Sequence, residues 1–213
     1  MSGKAQAARE RMVYSAAQLV RARGVSGTGV RDVVAQADAP RGSFQHYFPG
    51  GKDQLVGEAV AWAGDFAARW VAEYSATTGD PSPSGLFAHM AAYWRDDLTA
   101  RRYERGCPIM ATAAELAGGD SPVNEQVRAA ADSWERAVAD ELVRMEVPAT
   151  RARSLATLMI GALEGAILLA RLRRDIGQLD TVVTELSPVL DSHARRTDPP
   201  PALKHARPDE QAR

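Results

Sequence analysis

The sequence predicts an all-α protein in two parts: an N-terminal three-helix helix-turn-helix unit followed by a larger helical body. Three observations carry that prediction. Apolar residues recur at helical spacing along most of the chain, and strand-like alternation never lasts more than a few residues. Two short amphipathic segments separated by a tight break lie within residues 28–48. Charge is uneven: residues 1–52 hold eight Lys and Arg against three Asp and Glu, a net of +5, within a total of −1.

Ala8, Met12, Ala16, Leu19 and Val20 space an apolar face through the first 23 residues, and Gly24 stops that helix. Thr28 is placed to cap a short second helix, in which Val30, Val33, Val34 and Ala37 share a face. Asp38 and Ala39 make the break. Pro40 then suits the first turn of a third helix running to about Phe48, with Phe44 and Phe48 inward. Pro49-Gly50-Gly51 ends it. A long helix follows from about Lys52 to Ala76, with Leu55, Ala59, Trp62, Ala63, Phe66, Trp70 and Tyr74 as its stripe. After a loop over 77–85, further helices are predicted at 84–103, 108–117, 122–145, 149–174 and 179–195. Ser121-Pro122 reads as a cap with an N1 proline, and Pro148 and Gly177 punctuate the later helices. From Thr197 onward, Pro199-Pro200-Pro201 and a charged remainder read as a disordered tail. The predicted division is therefore a head over 1–51, a body over 52–196 and a tail over 197–213.

With 213 residues, 45% hydrophobic and 25% charged, the chain is long and apolar enough for a real core, which excludes a wholly disordered protein. The single cysteine, Cys107, excludes an intramolecular disulfide, and the four histidines share no metal-ligand spacing. No cofactor is expected. A phosphate-binding glycine loop and a Gly-x-Ser-x-Gly nucleophile are both missing, so an enzyme is not expected either. The first eleven residues are polar. The longest apolar run, Leu155 to Ala170, falls short of the roughly 18 residues of a spanning helix. It reads as a buried helix, with no membrane partner and a cytoplasmic location.

The basic head bears on function. In a helix-turn-helix the second short helix enters the major groove of DNA. The outward residues of the third helix, Arg41, Ser43, Gln45, His46 and Tyr47, can contact base edges and phosphates, and Gly42 permits close approach. Lys52, at the start of the next helix, can reach a phosphate. Periodicity alone is equally met by an ordinary three-helix corner with a polar exterior.

In the body, Trp62, Phe66 and Trp70 recur every four residues, and Phe87, Met90, Tyr93 and Trp94 share a face. Plain core packing accounts for any one of them. Together they suggest an adaptable apolar cavity for a small molecule. The candidate ligand-binding set is Trp62, Phe66, Trp70, Met90, Trp94, Cys107, Met110, Trp134 and Glu164. Glu164 is the one charge between Leu155 and Ala170; it can contact a ligand, pair with an arginine such as Arg171, or face a partner protomer. The helix at 149–174 is apolar on more than one face. With the helix at 179–195 it suits a four-helix interface across a two-fold axis, that is, a homodimer.

Two runs carry a resemblance. Gly24-Val25-Ser26-Gly27-Thr28-Gly29-Val30-Arg31-Asp32-Val33-Val34, and Pro40-Arg41-Gly42-Ser43-Phe44-Gln45-His46-Tyr47-Phe48-Pro49-Gly50-Gly51-Lys52-Asp53-Gln54-Leu55, resemble the N-terminal signature of TetR-family transcriptional regulators. The Pro-Gly-Gly-Lys variant, with Arg105-Gly106-Cys107-Pro108-Ile109, Ala114-Glu115-Leu116 and Ala162-Leu163-Glu164-Gly165-Ala166, is similar to the LmrA/YxaF-like branch. The resemblance implies an all-α homodimer with a DNA-binding head and a ligand-binding, dimerising body. It implies a repressor released from a palindromic DNA operator by a small-molecule effector. It puts the DNA contacts at Arg41, Gly42, Ser43, Gln45, His46, Tyr47 and Lys52, with Thr28 and Val30 at the start of the second helix. The chain departs from the family pattern at Asp38, where glycine is usual, and at Gln45, where tyrosine is common. The alternative is a DNA-binding or adaptor protein on this scaffold with no small-molecule switch.

Overall fold

The computed structural model describes residues 3–40 and 42–192, with side chains from residue 5. Among these residues the chain forms nine helices and no strand: α1 Gly3–Arg23, α2 Val30–Gln36, α3 Phe44–Tyr47, α4 Gly51–Thr77, α5 Pro83–Ala100, α6 Pro108–Leu116, α7 Asn124–Arg144, α8 Ala149–Arg173 and α9 Gly177–Asp191. The tail expected beyond Thr197 lies outside the described residues.

Two apolar clusters organise the helices. The smaller gathers Met12, Ala16, Val33, Ala37 and Phe48 from α1 to the end of α3, with Leu55 and Ala59 from α4. The larger is built mainly from α4 to α9 around Phe87, Leu142, Leu155 and Met159, with Val20 of α1 and Val25 joining it. α4 therefore belongs to both cores, and Trp62 packs against each of them. α4 lies closely along α7, where a Cβ on Gly64 would sit 2.9 Å from Ala130.

The head differs from the sequence expectation in its caps. Thr28 does not cap α2. The N-cap is Gly29, and the buried Thr28 turns its hydroxyl back to donate to the Gly24 carbonyl at 2.7 Å. Pro40 does not open α3, which is a single turn beginning at Phe44; the Ser43 backbone and side chain instead both donate to the Pro40 carbonyl. So short a helix has little stability of its own. It is held by Phe48, which is fully buried, and by Phe44, whose ring stacks on it at 5.4 Å. Asp38 has φ 48°, the left-handed backbone that aspartate tolerates better than most residues. Gly51, at φ 73°, turns the chain from α3 into α4.

In the body, Cys107 is the N-cap of α6 and Pro108 opens it, at the start that the sequence predicts for this helix. α5 stops at Ala100, before the expected 103, because Arg102 and Tyr103 take left-handed backbone. Pro122 lies outside α7, whose N-cap is Val123. α9 begins earlier and ends earlier than predicted. α8 is 25 residues long with a mean hydropathy of 1.7 over its most apolar window. By length and composition it is sufficient to cross a bilayer, which corrects the shorter run read between Leu155 and Ala170. Here one face of it packs on α7 and α9.

Candidate nucleic-acid interface and interior cavity

The helix-turn-helix is fastened from behind by α1. Arg11 donates from Nε to the Ala37 carbonyl at 2.9 Å and reaches the Asp38 carbonyl, so it spans the turn between α2 and α3. Arg9 pairs with Glu58 of α4 at 2.6 Å. Glu58 also accepts from Gln54, whose Oε1 accepts from the Gly50 amide at 2.9 Å. This chain of contacts fixes the angle between α1, α4 and the end of α3.

Of the expected contact residues, Gly42, Gln45 and His46 are exposed; Val30, Ser43, Tyr47 and Lys52 are half-buried at the same end of the molecule. The Gln45 amide donates to the Pro49 carbonyl at 3.3 Å. His46 and Tyr47 lie ring against ring at 5.3 Å. Arg41 lies outside the described residues. Thr28 is 2% exposed with its hydroxyl engaged, so its side chain presents nothing to a phosphate.

Inside the body is a cavity of about 60 Å³. Trp62, Phe66, Trp70, Met90, Trp94, Cys107 and Trp134 line it, all of them expected. The chain has four tryptophans, and all four are in this wall. Phe66 stacks between Trp62 and Trp70 with centroids at 5.8 and 6.5 Å, and Trp70 stacks on His89 at 4.5 Å. The Trp134 indole N–H is buried without a partner. One water needs roughly 10–15 Å³ on this measure, so a larger guest must displace rings.

Met110 and Glu164 are not in the lining. Met110 packs on the larger core. Glu164 stands behind Cys107, which hydrogen-bonds to it; burial, opposed by that bond and by Arg21, raises its pKa to about 7. Its Oε1 is buried without a partner. Burial first, and then the Glu164 charge, push the Cys107 thiol well above its ordinary range. Arg171 does not pair with Glu164: it donates to the Tyr103 and Glu104 carbonyls.

The sequence reading left out nine wall residues, among them the three polar ones, Gln18, Arg21 and Tyr93. Tyr93 was legible as part of the α5 aromatic face. Arg21 was not, because an arginine in a basic head reads as a solvent-facing contact for a polyanion. It is 5% exposed, and its guanidinium lies over Trp94 at 5.2 Å.

Known proteins agree with this architecture. Residues 14–59 match the family described as bacterial regulatory proteins, tetR family. Residues 83–185 match the C-terminal domain of transcriptional regulators described as LmrA/YxaF-like. An uncharacterized HTH-type transcriptional regulator of Mycobacterium tuberculosis is 40% identical over 191 residues, covering 87% of this chain and 95% of the relative. The regulator YxaF of Bacillus subtilis is 29% identical over 183 residues, covering 85% and 94%. A TetR regulatory protein from Rhodobacter sphaeroides shares the fold, with a TM-score of 0.74 at 19% identity over 85% of this chain and 97% of that one. These relatives are regulators, not enzymes. The chain belongs to the TetR family of transcriptional regulators, in its LmrA/YxaF-like branch, and binds DNA through its N-terminal helix-turn-helix.

Proposed function

We propose that this regulator is a homodimeric repressor that leaves a palindromic operator when a small apolar or aromatic molecule enters the cavity. The observation that carries this reading is the cavity itself: an aromatic wall in the larger core, built partly from α4 and α1, the helices that carry the DNA-binding head. A guest that displaces rings in so small a space moves those helices. Two heads must sit about 34–36 Å apart to enter successive major grooves, so a modest movement ends binding. The guest shifts the equilibrium only as far as it prefers the released state.

The dimer face we assign is the outer side of α8, where Leu158, Leu168 and Leu172 are exposed and Gly161 and Gly165 face open space. In this reading residues 1–51 are the DNA-binding unit, residues 52–196 bind ligand and dimerise, and the protein works in the cytoplasm beside its operator. Arg41, Gly42, Ser43, Gln45, His46, Tyr47 and Lys52 contact DNA, with Val30 at their edge. Thr28 serves by holding the start of α2. Of the cavity set, Glu164 acts through Cys107 and not by direct contact.

The test is a titration of apolar and aromatic compounds against a selected operator duplex, read by fluorescence anisotropy. A compound that enters the cavity, seen by tryptophan quenching, should release the DNA. If compounds quench the tryptophans at saturation and none weakens DNA binding, the protein is a regulator without this switch.

A further inference from the structure

The cavity and the DNA-binding head are joined at two places outside α4. The first is Arg21, the one charged side chain in the cavity wall, which belongs to α1. Its Nε donates to the Gly106 carbonyl at 2.7 Å, its Nη2 pairs with Asp97 of α5, and its own carbonyl accepts from the Gly106 amide at 2.9 Å. Trp94, another wall residue, lies beneath the guanidinium at 5.2 Å. An occupant that shifts Trp94 therefore disturbs Arg21 directly.

The second is Glu115, near the far end of α6. It accepts from the Val25 amide at 2.6 Å, the Ser26 amide at 2.7 Å and the Ser26 hydroxyl, clamping the turn that leads from α1 to α2. These bonds, the hydroxyl foremost, hold its carboxyl below the usual range. Gly24, at φ +74°, lets the carboxylate in: a Cβ there would stand 2.7 Å from it. Between the two places runs α6, nine residues or roughly 13 Å of rigid helix. The residues that open it, Cys107, Pro108 and Ile109, are cavity wall.

We propose that Arg21 and Glu115 are the positioning residues through which the head and the cavity sense each other, with α6 as the bar between them. The proposal rests on the cavity being the effector site. It adds a route distinct from α4: movement of the wall at Trp94 and Cys107 is delivered to α1 by Arg21 and to the α1–α2 turn by Glu115. Coupling between two sites is reciprocal, so DNA bound at the head must in turn alter the wall.

That reciprocity allows a test without a known effector, because all four tryptophans stand in the wall, three of them away from the head's apolar cluster. A duplex selected from random sequences is titrated into the full-length wild type, Glu115→Gln and Arg21→Lys. Anisotropy reads DNA binding, and tryptophan emission reads the cavity. Wild type should change its emission on binding. Glu115→Gln, a surface change, should still bind, since losing an acid that faces Lys52 does not weaken a phosphate contact. Its emission change should be lost. Arg21→Lys keeps the charge but not the planar fork that serves Gly106 and Asp97 together, and should lose the emission change too. The proposal is overturned if wild type shows no emission change, or if both variants change as wild type does. A compound that releases wild type and both variants equally would also overturn it while leaving the ligand switch intact. If no compound releases wild type but its emission change disappears in Glu115→Gln, the switch fails and the route stands.

Discussion

Cys107 and Glu164 form a hydrogen-bonded pair at the back of the aromatic cavity: the thiol donates to the carboxyl, whose charge raises the thiol pKa, while that bond opposes the rise that burial gives the carboxyl. The thiolate is the reactive form of cysteine, and here burial and a neighbouring acid both oppose it. Iodoacetamide at neutral pH should therefore modify native Cys107 roughly a hundredfold or more slowly than the urea-unfolded chain. Labelling of the native protein at the unfolded rate would mean that the pair is open to solvent.

Glu164 makes stability depend on pH in a stated direction. Its pKa rises from an ordinary 4.5 to about 7 in the folded protein. Between those values the folded state holds a proton that the unfolded chain has released. Stability from this group therefore falls as pH rises through that window, by at most roughly 3 kcal/mol, and is level below and above it. Glu164→Gln can still accept from the thiol but does not titrate. Urea midpoints should fall between pH 5 and pH 8 in wild type and fall less in the variant, which becomes the more stable of the two at pH 8. Parallel curves for the two proteins would exclude Glu164 as the source.

Much of the site was legible because it is periodic. Trp62, Phe66 and Trp70 fall one helical turn apart, so their shared wall follows from spacing alone. Asp38 was legible as a turn because few residues tolerate its backbone. Thr28 and Pro40 were misread because local rules offer them two roles, and the Thr28 hydroxyl takes the Gly24 carbonyl in place of a helix cap. Arg21 was invisible because its partner Gly106 stands 85 residues away. Nothing near Arg21 in the chain says that it points inward. Glu115 stands in a run that carries the resemblance, but its role is not legible until the fold brings Ser26 beside it.

Two arginine and lysine changes in the head should separate support from contact. Lys52→Ala removes the phosphate partner proposed above. It should weaken operator binding and reduce the salt slope by about one unit, roughly independent of sequence. Arg11→Ala should also weaken binding, since Arg11 holds the carbonyls of Ala37 and Asp38 and so sets the turn before α3. Its salt slope should stay near the wild-type value, because its guanidinium faces the turn and not the DNA. Kd measured at several salt concentrations checks both. A slope change in Arg11→Ala equal to that of Lys52→Ala would make Arg11 a phosphate contact.

The outer side of α8 repeats with a spacing of three and four: Leu158, Gly161, Gly165, Leu168, Leu172. That spacing keeps a single stripe facing one way, as in helices that pair along their length. Leu168 and Leu172 are 64% and 77% exposed, a cost to a lone chain that pairing with a second copy removes. The two glycines, with open space beyond them, let a second α8 come close. Leu168→Glu combined with Leu172→Glu puts four like charges into that seam and should give a folded monomer, seen by light scattering and an unchanged helical circular dichroism spectrum. Operator affinity should fall by roughly a hundredfold or more, because two heads on one body bind with the effective concentration of a linked pair and single heads do not. A variant that stays dimeric would move the interface elsewhere on the body. A monomer that binds the operator as tightly as wild type would mean that one head suffices, and the palindromic reading would fail.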